Sequence, residues 1–393
     1  MKTRLNEKNI GLGNVRSVIR DTFEYATARK AEIGADNVFD FSLGNPSIPS
    51  PECINNTIAG LVNSGADIHS YTSAAGAPAL KKAIADNIYK RFGAKVFDIY
   101  VTCGAAASLT ITLNALCNKG DEVIAFAPYF PEYKVFCENA GAKFVAVDAD
   151  FDEFQINFDA FKKALSKKTK AIILNSPNNP SGAVLTTEKL EKLANILNEH
   201  NKKYKKTVYI IADEPYRELV YGDVCVPYVM NYYAHTVVCY SYSKSFSLPG
   251  ERIGYIAVSN DASDAKNLYF AICGAGRSLG YVCAPSLMQQ VILKNIDAVC
   301  NVSEYKKNRD RLYGALTEYG YECVKPDGAF YLFVKSPIAD ANEFCKKARD
   351  FELMLVPSDS FGCKGYVRIS YCVAYDTIER SLPAFKNLIG LYR

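Results

Sequence analysis

A lysine among serine hydroxyls, with an arginine eight residues further on, is suited to holding a phosphate. The string S-Y-S-K-S-F-S-L-P-G-E-R-I-G at 241–254 supplies Ser241, Ser243, Lys244 and Arg252. Lysine and arginine give charge-assisted donors, and the hydroxyls add neutral ones. Read alone, the string also fits a polar surface loop between strands. A second anion-binding signal is C-G-A-A-A-S at 103–108, where small residues join an apolar run to a helical run. Small side chains let backbone N–H groups approach an anion, and a helix N-terminus attracts it. Close packing of the helix on a sheet would need the same residues. A carboxylate closes the apolar run in V-Y-I-I-A-D-E-P-Y at 208–216: Asp213, 31 residues before Lys244 (244 − 213). It also suits a helix N-cap. N-S-P-N-N-P-S-G at 175–182 follows another apolar run and has the composition of a turn.

Apolar, β-rich runs at 99–102, 122–126, 143–147, 171–174, 208–212, 237–240 and 253–258 must position these groups. They do not alternate, as expected of strands buried on both faces. Helical stretches such as 186–200 separate some of them, which predicts a largely parallel α/β sheet. In open sheets of this kind ligands gather outside the carboxyl ends of the strands. Asp213 and Lys244 each stand just past such an end and so can meet. The last third reads as strands at 329–335, 353–356 and 366–371 among helices at 303–319 and 342–350. The first 48 residues hold one helical stretch, 15–33, and no sheet of their own. The expected division is an N-terminal segment 1–48 joining a small domain, a large domain 49–290, and a small domain 291–393.

The full set of strings resembles the class I/II pyridoxal-phosphate-dependent aminotransferases, a fold-type I, aspartate aminotransferase-like family. The resemblance covers residues 15–390 through eight matched stations in order. It implies an α/β large domain whose mostly parallel seven-stranded sheet is flanked by helices, plus a smaller discontinuous α+β domain. By resemblance, Lys244 carries pyridoxal 5′-phosphate as an imine, and Ser241, Ser243 and Arg252 hold its phosphate with the N–H groups of Ala105 and Ala106. Asp213 pairs with the pyridine nitrogen and keeps it protonated, which tunes the ring as an electron sink. Tyr216 bonds the ring hydroxyl oxygen. Phe130, in P-Y-F-P-E-Y at 128–133, stacks on the ring, and Asn179 bonds the ring oxygen and the substrate carboxylate. Gly44 lies against that carboxylate. Arg368, in G-Y-V-R-I-S at 365–370, clamps it with a planar fork suited to bidentate pairing. Tyr71, in H-S-Y-T at 69–72, crosses to the phosphate of a neighbouring subunit, implying a homodimer with shared active sites. Arg277, 33 residues beyond Lys244 (277 − 244), stands where aspartate aminotransferases carry an arginine for a distal carboxylate.

Composition narrows the remaining possibilities. The chain has 393 residues, 46 Lys+Arg against 42 Asp+Glu, 49% hydrophobic and 22% charged residues. This is ordinary globular composition without the basic surplus of a nucleic-acid binder. Thirteen cysteines include no C-x-x-C pair, and His69, His200 and His235 are far apart, so no metal site is expected. Scattered cysteines in apolar runs read as reduced, buried thiols in a cytoplasmic protein. Neither a secretory signal nor a membrane span is legible. G-A-G-R-S-L-G at 274–280 is one residue off a dinucleotide loop and lies outside a clear strand–helix unit. The expected activity moves an amino group from an L-amino acid to a 2-oxo acid, with acidic substrates as the candidate class. A carbon–sulfur β-lyase on the same scaffold would use the same lysine and aspartate. A non-enzymatic cofactor-binding regulator would need an added DNA-binding domain, for which no room is expected.

Overall fold

Seven strands order themselves into one sheet, its central strands buried on both faces and its edge strand Lys143–Val147 partly open to water. The computed structural model describes residues 5–14, 17–299 and 301–393. They form two compact units, one of residues 46–303 with 326–329, the other of residues 1–45, 304–325 and 330–393. In the larger unit the sheet runs Val96–Thr102, Gly254–Ser259, Thr236–Ser241, Tyr209–Asp213, Thr169–Asn175, Glu122–Phe126, Lys143–Val147. Neighbours are parallel except around Gly254–Ser259, which is antiparallel to both of its partners. Thr236–Ser241 and Gly254–Ser259 are buried along their whole length, the reason they lack alternation.

Helices cover the sheet with apolar stripes. Helix Thr187–Tyr204 buries Leu190, Leu193, Ala194, Leu197 and His200, one face at helical spacing. Thr186 caps its start by accepting from the Lys189 amide at 3.3 Å, and Lys202 and Lys203 complement the dipole at its end. Helix Ala105–Leu116 is buried on nearly every side.

The smaller unit holds the antiparallel sheet Val356–Pro357, Tyr366–Ser370, Tyr331–Lys335. Helices Val18–Ile33, Ser303–Glu318, Ala341–Ala348 and Tyr375–Gly390 surround it. Three sequence readings are corrected here. The run expected as one strand at 353–356 is two: Leu353–Met354 pairs in parallel with Phe39–Asp40, and Val356–Pro357 joins the three-stranded sheet. The N-terminal segment therefore supplies a strand, and it also has an additional helix at Glu7–Asn14. The helix expected from residue 15 starts at Val18, capped by Ser17; Val15 and Arg16 lie outside the described residues.

Candidate active site

Strand register brings the candidate residues of the larger unit to one edge. Thr102 pairs with Gly254, Gly254 with Ser241, Cys239 with Asp213, and Asp213 with Asn175. The loops that follow strands Val96–Thr102, Thr236–Ser241, Tyr209–Asp213 and Thr169–Asn175 thus open side by side, next to the loop that follows Phe126. This is the carboxyl edge of the parallel strands, where open α/β sheets place ligands.

The phosphate-type donors meet at this edge. Gly104 has φ +92° and precedes helix Ala105–Leu116. The first N–H groups of a helix lack intrahelical acceptors, so those of Ala105 and Ala106 are of the kind that suits an anion. A Cβ on Gly104 would lie 2.8 Å from Arg252 Nη2, so only glycine lets the guanidinium rest on that helix start. Arg252 itself holds a left-handed backbone, φ +54°, sparsely populated by side-chain-bearing residues. Its Nη1 donates to the Pro249 carbonyl at 3.0 Å and to Ser243 Oγ at 3.5 Å. Ser243 and Ser241 share a hydrogen bond of 2.7 Å, and both are buried.

The segment expected as a loop around Lys244 is a short helix, Tyr242–Ser245. Ser241 ends the preceding strand and caps this turn, accepting from the Ser243 amide at 3.2 Å. Ser241 therefore does two jobs: it fixes the turn that carries Lys244 and orders the hydroxyl beside Arg252. Lys244 is half-buried.

Asp213 is the last residue of its strand rather than the first of a loop, and it caps no helix. It is 5% exposed, and Tyr133 donates a 2.5 Å hydrogen bond to its Oδ2. Its Oδ1 is buried with no hydrogen-bond partner. Burial pushes the Asp213 carboxyl up to about 7; the Tyr133 hydroxyl opposes this, and the neighbouring Glu214 charge adds to it. Glu214 is itself held by Arg217 at 2.5 Å, with that guanidinium over Phe92 and Tyr228. A buried carboxylate with an unused oxygen is an acceptor waiting for a cationic donor.

Asn175 ties the neighbouring loop to this carboxylate. Its amide donates to the Asp213 carbonyl at 2.9 Å, and its Oδ1 accepts from the Asn179 amide at 2.7 Å. Asn179 and Tyr216 are buried nearby, and Tyr216 opposes ionisation of Tyr133. Phe130 packs edge-on against Tyr133, ring centroids 5.7 Å apart. The sequence reading did not single out Tyr133, Asn175 or Gly104. All three lie inside quoted strings but were given no role there; Tyr133 reaches Asp213 across 80 positions, a contact that nothing local signals.

The smaller unit holds its own cluster. Arg368 is 2% exposed, its guanidinium 4.7 Å from the Tyr331 ring and 5.3 Å from the Phe361 ring. It donates to the Ser42 carbonyl. Gly44 lies two residues on, where any Cβ would strike the Tyr331 hydroxyl. A buried guanidinium beside bare backbone is suited to a small carboxylate. Arg277 is exposed in the last turn of helix Ala265–Leu279, and among the described residues no carboxylate pairs with it. Gly276, in the rejected dinucleotide-like string, is explained by packing: a Cβ there would strike Tyr100 Oη. Among the described residues no helix is long and apolar enough to cross a membrane.

The fold is of the α/β class with its candidate site at the carboxyl edge of the sheet, and comparison with known proteins gives the activity. The family model for aminotransferase class I and II matches residues 36–385. An amino transferase of Eubacterium rectale is 50% identical, with all of both chains covered and a TM-score of 0.97. A probable aspartate aminotransferase of Methanocaldococcus jannaschii is 30% identical over 95% of this chain and 96% of its own. The aromatic-amino-acid aminotransferase 2 of Thermococcus litoralis is 28% identical, covering 95% of each chain. The chain belongs to the class I and II aminotransferases, and it is a transaminase.

Proposed function

We propose that this transaminase works with pyridoxal 5′-phosphate held covalently by Lys244, passing an amino group from an L-amino acid to a 2-oxo acid. The observation that carries the reading is Asp213: a buried carboxyl with one oxygen unpartnered, on the same sheet edge as a phosphate cradle. Those two features match a ring with a basic nitrogen at one end and a phosphate at the other. When bound, the cofactor supplies the electron sink that lets the substrate Cα–H bond ionise.

The protein's residues do the rest. Arg252, Ser241, Ser243 and the N–H groups of Ala105 and Ala106 take the phosphate dianion. Asp213 Oδ1 would accept from a protonated ring nitrogen, with Phe130 available to the ring and Tyr216 and Asn179 available to its hydroxyl oxygen. Lys244 Nζ, once freed, would move the proton at substrate Cα, as base in one half-reaction and as acid in the other. Arg368 binds the substrate α-carboxylate, with the Gly44 backbone beside it.

Arg277 supports a preference for aspartate- and glutamate-type donors, because an exposed guanidinium with no carboxylate paired to it is available for a second acidic group. A screen of amino acids, scored by conversion of the bound cofactor to its pyridoxamine form, is expected to rank aspartate and glutamate above alanine and phenylalanine. Arg277→Ala then loses kcat/KM for the acidic donors alone, by about 2–5 kcal/mol where it leaves the substrate carboxylate buried and unpaired. Equal losses for alanine and aspartate, or none, remove this role.

A second copy of the chain completes the site in this reading. Tyr71 is 95% exposed in the single chain, and Phe97 and Phe270 are exposed around Tyr269. Exposed apolar groups of this kind are what a partner covers. Tyr71 then donates to the partner's cofactor phosphate. Mixing Lys244→Ala chains with Tyr71→Phe chains gives dimers with one doubly defective site and one intact site. Activity is expected to rise above that of the Tyr71→Phe protein alone. No rise after verified subunit exchange counts against the crossing. The twelve described cysteines are free thiols, which supports a reducing, cytoplasmic setting.

A further inference from the structure

The short helix that carries Lys244 is held on one side by Ser241, Ser243 and Arg252, all used by the proposed phosphate binding. Its other side is held by groups that no part of that reading uses. Ser245, the next residue after Lys244, is 1% exposed, and its Oγ lies 2.9 Å from the Tyr240 hydroxyl. The same hydroxyl lies 2.8 Å from Glu218 Oε2. The other oxygen of Glu218 pairs with Arg91 Nη1 at 3.0 Å. Arg91 stands in the last turn of helix Pro78–Phe92.

Proton counting sets the direction of these bonds. An ionised carboxylate only accepts, so Tyr240 gives its single proton to Glu218. Its oxygen is then left to accept, and the proton between Tyr240 and Ser245 comes from Ser245. Burial and the Glu218 charge both hold the Tyr240 hydroxyl well above the usual phenol range, so it stays protonated. The Tyr240 ring is fixed independently of these bonds. It stacks on Tyr255 at 4.9 Å and 24°, and meets Tyr242 edge-on at 5.1 Å. Chains of hydrogen bonds ending on a charge strengthen one another in a low-dielectric setting.

We propose that Ser245, Tyr240 and Glu218 form a directed hydrogen-bond chain, anchored by Arg91, that positions the Lys244 turn for proton transfer. The four act through the turn and not among the groups proposed to hold substrate or cofactor; they are positioning residues. The chain fixes the azimuth of the Tyr242–Ser245 turn about its axis, and therefore where Lys244 Nζ is presented. The inference rests on Lys244 as the lysine that holds the cofactor.

Tyr240→Phe tests it, because phenylalanine keeps the ring stack and removes both hydrogen bonds. The readout is the pH titration of the visible absorbance of the cofactor-loaded protein, with kcat and KM measured beside it. The midpoint is expected to move by at least about half a pH unit. The expected fall in kcat is ~10-fold, below the ~10²-fold that a 1 Å misplacement can cost, with KM within about two-fold. Ser245→Ala should reproduce the shift, and Ser245→Thr, which restores a hydroxyl, should recover the parental midpoint. The double variant Tyr240→Phe/Ser245→Ala should shift no further than either single one, as members of one chain do. An unmoved midpoint with unchanged kcat overturns the proposal even if thermal stability falls, since that is the result of a purely structural role. Additive shifts overturn it as well. Borohydride reduction followed by peptide mapping separates the two levels. Cofactor fixed to a lysine other than Lys244 refutes the parent reading. Cofactor on Lys244 with an unmoved midpoint refutes only the positioning chain.

Discussion

Lys244→Ala is expected to abolish turnover and leave the fold intact. Lys244 is half-buried in a four-residue helix whose cap is the Ser241 side chain, so truncating it leaves the cap in place. A truncation that leaves the cap and the core in place costs on the order of 1 kcal/mol, too little to unfold the protein. The functional loss has two parts. The covalent hold on the cofactor disappears, and with it the group that carries a proton to and from substrate Cα. Positioned acid–base groups are worth on the order of 10²–10⁴-fold each, so the residual rate should fall at least that far. Thermal unfolding and circular dichroism check the fold, and single-turnover reaction with an amino acid checks the chemistry. Borohydride reduction of the parent should fix the cofactor to the peptide holding Lys244, and the variant should show no such label. Label on another lysine would reassign the site.

Asp213→Asn is expected to lose rate on the order of 10²-fold or more while retaining cofactor, as when a preorganised charge is removed from a buried site. An amide oxygen still accepts from Tyr133, so the local geometry persists. It cannot hold a positive charge on the ring nitrogen. A variant with near-parental kcat would show the ion pair to be wrong. The same substitution makes a prediction for the protein without cofactor. In the unfolded chain Asp213 ionises at about 3.9; in the folded protein burial holds it up to about 7. Between those values the folded state binds the extra proton, so stability falls as pH rises from about 4 to about 7 and is level above that. The upper bound on this loss is about 4 kcal/mol, from about 1.36 kcal/mol for each pH unit separating the folded and unfolded values. The amide of the variant does not titrate. The cofactor-free variant should therefore be more stable than its parent above pH 7, and the gain should shrink towards zero near pH 4. Urea unfolding of both proteins across this range measures it. A stability difference independent of pH would place the carboxyl in a far less buried setting.

Whatever is written locally could be read from the residues alone. The seven unalternating apolar runs marked the strands, and the central ones are covered on both faces, where no alternation is required; the edge strand Lys143–Val147 is partly exposed all the same. The strings around Lys244, Asp213, Asn179 and Arg368 were legible because each is contiguous and lies in or next to a strand, and strand ends are where such a sheet gathers its ligands. Residues 353–356 were not legible in this way: they read as one strand, yet Leu353–Met354 and Val356–Pro357 pair with different partners. Which distant side chains complete the site was settled by the folding of the whole chain. Tyr133 meets Asp213 because strands Glu122–Phe126 and Tyr209–Asp213 flank Thr169–Asn175. Gly104 carries Arg252 because Gly254–Ser259 runs antiparallel between Val96–Thr102 and Thr236–Ser241, and Tyr240 meets Glu218 because Tyr209–Asp213 pairs in parallel with Thr236–Ser241. Strand order and register are set by how whole elements pack, and no local propensity encodes them. A tyrosine whose hydroxyl is buried against a carboxylate has the same neighbours in sequence as one that only fills the core.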